Sequence, residues 1–182
     1  MAPYEADAQL SFLASNGVAD AILTEDSDLL VFPSPLVLFK LDIVSCTVVS
    51  ISRSDFGSIA QSKESLSLIG WSDKEFRWMA MLSGCDYLPS IPGIGLKTAH
   101  ALLRKHRTVP NVLKAIRLEG KKSIPKGYQE MFDMAEKAFL YQRVYDPREE
   151  RLIYLCGDDM VREGDLDEKV EEYIGRFVLS LE

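Results

Sequence analysis

Five carboxylates fall in three short stretches of this 182-residue chain: Glu5 and Asp7 in PYEADAQL, Asp26 and Asp28 in ILTEDSDLLVF, and Asp86 in LSGCDYL. Carboxylate oxygens are the natural ligands of hard divalent cations, and a pair of such cations can activate water against a phosphodiester. Each stretch alone has an ordinary structural use. Acids at helix starts favour the helix dipole, and Asp/Ser runs after strands form turns. Brought together, several carboxylates repel one another strongly, and a cation relieves that repulsion. Two positions apart on a regular helix, Glu5 and Asp7 would point about 200° away from each other. They can share a site only with Glu5 in the irregular lead-in and Asp7 in the first turn. Asp26 and Asp28 follow a strand, where alternate side chains share a face. Asp86 is expected at a helix end, next to Gly84. Asp26-Ser27-Asp28 lacks the third oxygen position and the glycine of an EF-hand loop. The two histidines, His100 and His106, both sit in a basic stretch. The donor set therefore suits Mg2+ or Mn2+ better than zinc.

A second pattern follows Asp86. Ile91-Pro92-Gly93-Ile94-Gly95-Leu96-Lys97 places two glycines at a helix start, where exposed N–H groups and the positive end of the dipole can face a phosphate. A lone Gly-X-Gly also serves as an ordinary tight turn. Ser83 and Ser90 flank it and add oxygens suited to a monovalent cation bridging to DNA. The net charge is −7, but its distribution matters more than its sum. Residues 94–126 carry nine bases (Lys97, Arg104, Lys105, Arg107, Lys114, Arg117, Lys121, Lys122 and Lys126) against the single acid Glu119, whereas residues 1–30 carry six acids and no base. A basic block beginning at a Gly-X-Gly turn is expected to follow a nucleic-acid backbone without reading bases. Carboxylates for metal beside a phosphate grip point to a nuclease.

Positioning these groups requires an ordered scaffold. Ala6, Leu10, Leu13 and Ala14 predict a helix over 5–16 that Gly17 closes. Residues 21–24 read as a short buried strand that delivers the Asp26 cluster. Leu36–Leu41 and Thr47–Ile51 predict a hairpin, or two adjacent strands, joined by the polar turn around Asp42. Ser72 with Glu75 opens a capped helix through Leu82, and the chain to Arg143 reads helical between Pro92-Gly93, Pro110 and Pro125. Arg151–Leu155 is a strand candidate and Asp167–Leu181 a last, acid-rich helix. The pattern is α/β: a sheet-containing core with a helical second half. Hydrophobic residues make up 47% of the chain, and no apolar run reaches the roughly 18–20 residues of a membrane helix. Neither a basic n-region nor an apolar h-region opens the chain, so no secretory signal is expected. Three cysteines without metal-type spacing favour reduced thiols of cytosol or nucleus.

In order and spacing, APYEADAQL, ILTEDSDLLVF and MLSGCDYLPSIPGIGLKTAHALL resemble the internal region of the structure-specific 5′ nucleases, a family that includes flap endonuclease, exonuclease 1 and XPG-type repair nucleases. Tyr4 before Glu5, Asp7, and FLYQRVYDP at 139–147 look most like the exonuclease 1 branch, and the resemblance fades after about Leu155. It implies a partial PIN-like (resolvase-like) core with a small parallel sheet and a helix–two-turn–helix. The implied blocks are residues 1–80 for the nuclease core, 81–145 for DNA binding and 146–182 for a C-terminal extension. It implies two Mg2+ ions, with Mn2+ as substitute, on Glu5, Asp7, Asp26, Asp28 and Asp86, of which Asp26, Asp28 and Asp86 are the catalytic set. It implies K+ and DNA at Ser83, Ser90, Gly93, Ile94 and Gly95, with Lys97, Arg104 and Lys105 behind them. The expected activity is 5′-to-3′ exonuclease or 5′-flap cleavage of nicked, gapped or recessed duplex, in nuclear repair and recombination. Relative to that family the N-terminal half is absent, so the alternative is a catalytically incomplete DNA-binding module.

Overall fold

The computed structural model describes residues 2–58, 66–161, 166 and 168–174. By packing, the chain forms two compact units. One comprises the residues up to Ser54 with those from Lys137 onward, and the other comprises Asp55–Glu136. The borders of the three sequence blocks fall inside α2 (Asp73–Ser83) and β4 (Arg143–Asp146).

The first unit opens with α1 (Ala6–Ser15), whose buried residues are Ala8, Ser11, Phe12 and Ala14. The helix is the expected one, but its buried face is rotated: Ala6 and Leu10 are exposed. Phe12 carries more apolar area than Leu10, so the face that hides the ring wins. β1 (Ile22–Leu23) leads into a 3-10 turn at Ser27–Leu30, then β2 (Leu36–Asp42) and β3 (Thr47–Ser52). The sheet has the order β1-β2-β3. In place of the expected parallel sheet it is mixed: β1 and β2 run parallel, but β2 and β3 pair antiparallel. The few residues between Asp42 and Thr47 cannot make a crossover, which takes about a dozen or more. Ala14, Ile22, Leu29 and Val37 form a buried cluster beneath the loop that carries Asp26 and Asp28. Phe32 packs on Phe139 with ring centroids 5.0 Å apart.

A second antiparallel pair, β4 with β5 (Arg151–Tyr154), closes this unit. β5 matches the strand candidate; β4 has no counterpart in the sequence reading, because nothing breaks the helical pattern before Arg143. Its edge is held by α1. Gln9 donates to the Tyr145 carbonyl at 2.9 Å and accepts from the Tyr145 N–H at 2.7 Å, so one amide imitates a neighbouring strand. The last helix is described over Glu168–Ile174 as α6; the rest of the expected Asp167–Leu181 segment lies outside the described residues. Tyr154 donates to Glu171 at 3.1 Å and accepts from Arg143 at 2.6 Å, which fastens α6 to the hairpin.

The second unit is helical. α2 begins with the full capping box foreseen at Ser72 and Glu75. α3 (Leu96–His106), α4 (Val109–Glu119) and most of α5 (Tyr128–Tyr141) follow. Their buried residues include Met79, Leu82, Leu103, Val112, Leu113 and Phe132. Pro110 falls in the first turn of α4, where its missing N–H is not needed. Arg77 forks onto Glu136 at 2.7 and 3.2 Å, and the Trp78 indole donates to the other Glu136 oxygen at 3.0 Å. That network ties α2 to α5. No described helix is long and apolar enough to cross a membrane.

Candidate metal centre and nucleic-acid interface

The carboxylates of the first unit are carried on tight local geometry. Glu5 precedes α1 in extended conformation (φ −83°, ψ 143°) and Asp7 lies in the first turn, as a shared site for acids two apart requires. Asp26 is also extended (φ −85°, ψ 121°) and caps the 3-10 turn, its Oδ1 accepting from the Asp28 N–H at 2.9 Å. The Asp26 N–H in turn donates to the Thr24 hydroxyl at 2.9 Å. Leu29 is fully buried directly after Asp28, so a packed side chain holds the loop from below. Glu5 and Asp26 are exposed and Asp7 and Asp28 half-buried. Oxygen donors on solvent-facing turns suit a hydrated, hard cation. Among the described residues, no three His, Cys, Asp or Glu side chains gather closely enough to hold one ion.

Glu25 sits within the same acidic run and does something else. Its Oε1 accepts from the Lys40 N–H at 2.8 Å, where Lys40 has a positive φ of 54° beside the register shift of β2.

In the second unit, Asp86 lies beyond the end of α2 rather than on it. The helix stops at Gly84, whose φ of 116° and ψ of 134° are open essentially to glycine alone. A tight turn over Cys85–Leu88 follows, closed by the Leu88 N–H on the Cys85 carbonyl at 3.2 Å. Asp86 is exposed on that turn, and Leu88 and Ile91 are buried behind it. The Ser83 hydroxyl donates to the Ala80 carbonyl at 2.7 Å. A Cβ on Gly84 would lie 3.3 Å from Ser90 Cβ, so the segments holding the two serines lie close together.

The glycine turn is a type II turn: Pro92 at its second position, Gly93 at its third with φ 76°, and Ile94 N–H returning to the Ile91 carbonyl at 3.0 Å. Gly95 caps α3 in ordinary extended geometry (φ −103°, ψ −177°) without a side-chain cap, and a Cβ there would meet nothing within 4 Å. The N-terminal N–H groups of α3 thus open beside a bare glycine. Ile94 is buried as the anchor, while Lys97, Arg104 and Lys105 are exposed along α3. His100 is structural, stacked on Trp71 at 4.6 Å with Nε2 2.9 Å from the Ser67 carbonyl. Lys122, one of the nine bases of the basic block, makes a contact that the sequence did not indicate: from the α4–α5 loop it donates to the Gly93 carbonyl at 2.6 Å. Their 29-residue separation leaves no local signal in the sequence.

Residues 1–86 match the family model of the XPG I-region. Exonuclease 1 of Arabidopsis thaliana is 44% identical over 156 residues, which cover 86% of this chain and 20% of that protein. Exodeoxyribonuclease 1 of Schizosaccharomyces pombe is 37% identical over 178 residues, 97% of this chain and 29% of its own length. The chain thus spans between a fifth and a third of these relatives. Among solved structures, flap endonuclease-1 from Methanococcus jannaschii aligns with TM-score 0.50 and 24% identity over 73% of this chain and 37% of that chain. The eukaryotic junction-resolving enzyme GEN-1 binding with potassium aligns with TM-score 0.55 and 23% identity over 81% and 41%. The Holliday junction-resolving enzyme GEN1 in complex with product DNA and Mg2+ aligns with TM-score 0.56 and 24% identity over 81% and 40%. The chain is therefore similar to the XPG I-region over residues 1–86 and to flap endonuclease in fold. In sequence it resembles exonuclease 1.

Proposed function

We propose that this chain is nuclease sequence of the exonuclease 1 kind, serving 5′-to-3′ hydrolysis of DNA at nicks, gaps, recessed 5′ ends and flaps, in nuclear repair and recombination. The observation that carries the reading is the α2–α3 connection. From Ser83 at the end of α2, Asp86, Ser90 and an open glycine-capped helix start lie on one short, internally buttressed stretch. A carboxylate of metal-binding type and a phosphate grip are thereby held by the same backbone.

In this reading Glu5, Asp7, Asp26, Asp28 and Asp86 are divalent-ion ligands, for two Mg2+ with Mn2+ as substitute. Divalent ions held there would supply the charge that activates water and offsets charge developing on the phosphate and the leaving oxygen. The Asp28 N–H holds one Asp26 oxygen and so orients the other. Ser83, Ser90 and Ile94 offer oxygens for a K+ that a DNA phosphate can share, next to the backbone of Gly93 and Gly95. Lys97, Arg104 and Lys105 hold the strand by charge and leave the base sequence unread.

The test compares cleavage and binding in a protein of full relative length that carries this segment. Asp28→Ala or Asp86→Ala should abolish cleavage of nicked and flapped duplex in Mg2+ while sparing most of the affinity, because a metal ligand acts chiefly in the transition state. Cleavage persisting at a comparable rate in both variants overturns the reading. Intact binding with no cleavage by the unmodified protein, in Mg2+ or Mn2+, would leave a DNA-binding module.

A further inference from the structure

Lys122 is tied to the glycine turn in a way the rest of the basic block is not. Lys121 and Lys126 on the same loop are exposed, whereas Lys122 is half-buried with its Nζ 2.6 Å from the Gly93 carbonyl oxygen. The ammonium also stands where a side chain at Gly93 would begin, since a Cβ built there lies 2.6 Å from Nζ. Gly93 is favoured by its positive φ, and a side chain there would push the Lys122 ammonium aside. An ammonium has three donors, and one donated to Gly93 leaves two. Fixing the charge against a carbonyl removes much of the side-chain entropy that a free surface lysine would lose on gripping an anion.

We infer that Lys122 is a phosphate-binding residue of the DNA interface, delivered from the α4–α5 loop to the Pro92–Gly93 turn. The inference rests on the DNA-binding reading above. A backbone phosphate at the start of α3 takes N–H donors from the helix and ionic donors from Lys122, so the grip is built from two chain segments.

The probe is a fluorescent nicked duplex titrated with the 182-residue protein across a KCl series. One lost phosphate contact should reduce the log–log salt slope by about one and weaken binding about eightfold near 0.1 M salt. Lys122→Met and Lys122→Gln should both show this, and Lys122→Arg should restore most of the slope. Gln keeps a donor for Gly93 but no charge. A purely structural lysine would therefore let Lys122→Gln bind with the wild-type slope, or let Lys122→Met lower thermal stability and affinity at unchanged slope. Either result overturns the inference. Wild-type protein that binds no DNA overturns the function reading along with it, whereas binding unchanged in Lys122→Met overturns this inference alone.

Discussion

Gly84 and Gly95, at the two ends of the α2–α3 connection, should respond differently to the same substitution. Gly84 has φ 116° and ψ 134°, a region that costs an L-residue about 2 kcal/mol to hold. Alanine there also brings a Cβ to 3.3 Å from Ser90 Cβ, tighter than ordinary contact, so the strain cannot be relieved by settling toward that neighbour. Gly95 is different. Its extended backbone suits any residue and its Cβ direction is empty. Losing glycine as the helix cap costs up to about 1 kcal/mol, and stiffening the unfolded chain returns about 0.4–1 kcal/mol, so the two nearly cancel. At about 2–4 °C per kcal/mol for a chain of this size, Gly84→Ala should lower the helical melting transition by about 4–8 °C and Gly95→Ala should move it by under about 2 °C. Circular dichroism at 222 nm on matched samples measures both, with urea titration to confirm that the free energy, not the slope, has changed. Equal shifts in the two variants would refute the backbone argument. The pair also separates folding from binding: Gly95→Val, stable but bulky at the open helix start, should weaken DNA binding without a melting penalty to blame.

Mn2+ at about a hundredfold excess over its Kd should stabilise the protein by about 2.7 kcal/mol; replacing both Asp26 and Asp28 with Asn should remove the rise in melting temperature while an amide oxygen at the first of these positions still caps the turn, and an equal rise in that variant refutes the metal assignment. Burial, with a smaller contribution from Cys85, pushes the Tyr128 phenol up to about 12, and its hydroxyl has no hydrogen-bond partner among the described residues. Its folded pKa exceeds the unfolded value of 10.0, so this contribution to stability is full below that value and is lost as pH rises toward about 12; Tyr128→Phe should blunt that alkaline loss, delete one late step from a 295-nm titration, and cost less than about 1 kcal/mol at neutral pH. Removing the Glu136 carboxylate with Leu should destabilise by about 3–5 kcal/mol by stranding the buried Arg77 guanidinium, and adding Arg77→Met should recover most of it; additive losses in the double variant would show that the pair is not coupled.

Local chemistry made part of this fold legible. The capping box at Ser72–Glu75, the glycine after α1 and the hairpin around Asp42 are short-range instructions, and each is obeyed in place. What escaped depends on partners distant in sequence. β4 follows α5 with almost no break, and Arg143–Asp146 becomes a strand because β5 and the Gln9 amide supply its hydrogen bonds. The face that α1 buries is set by where Phe12 finds a core, which periodicity alone does not say. Lys122 reaches Gly93 from the loop that follows Gly120, which ends α4 at φ 63°.

The acidic run Glu25-Asp26-Ser27-Asp28 shows the same limit at the candidate site. In sequence its carboxylates are equivalent, and alternation along a strand singles out Asp26 and Asp28 only by assuming that the strand continues. It does not continue: β1 ends at Leu23, and Asp26 instead begins a 3-10 turn. The structure separates these carboxylates in another way. Glu25 lies opposite Lys40, whose positive φ at the irregular step of β2 turns its N–H toward the Glu25 carboxylate. Glu25 therefore serves the sheet, and a charge-assisted bond to a backbone N–H fixes it there. Asp26 and Asp28 are linked through the turn they form, where one acid's oxygen receives the other's N–H. Glu25→Gln should accordingly leave Mn2+ stabilisation in place and disturb β2 only slightly, since the amide oxygen still accepts from Lys40 and the two aspartates are untouched. A loss of Mn2+ response in Glu25→Gln equal to that in the Asp26/Asp28 double variant would mean that the division of labour within this run is drawn in the wrong place.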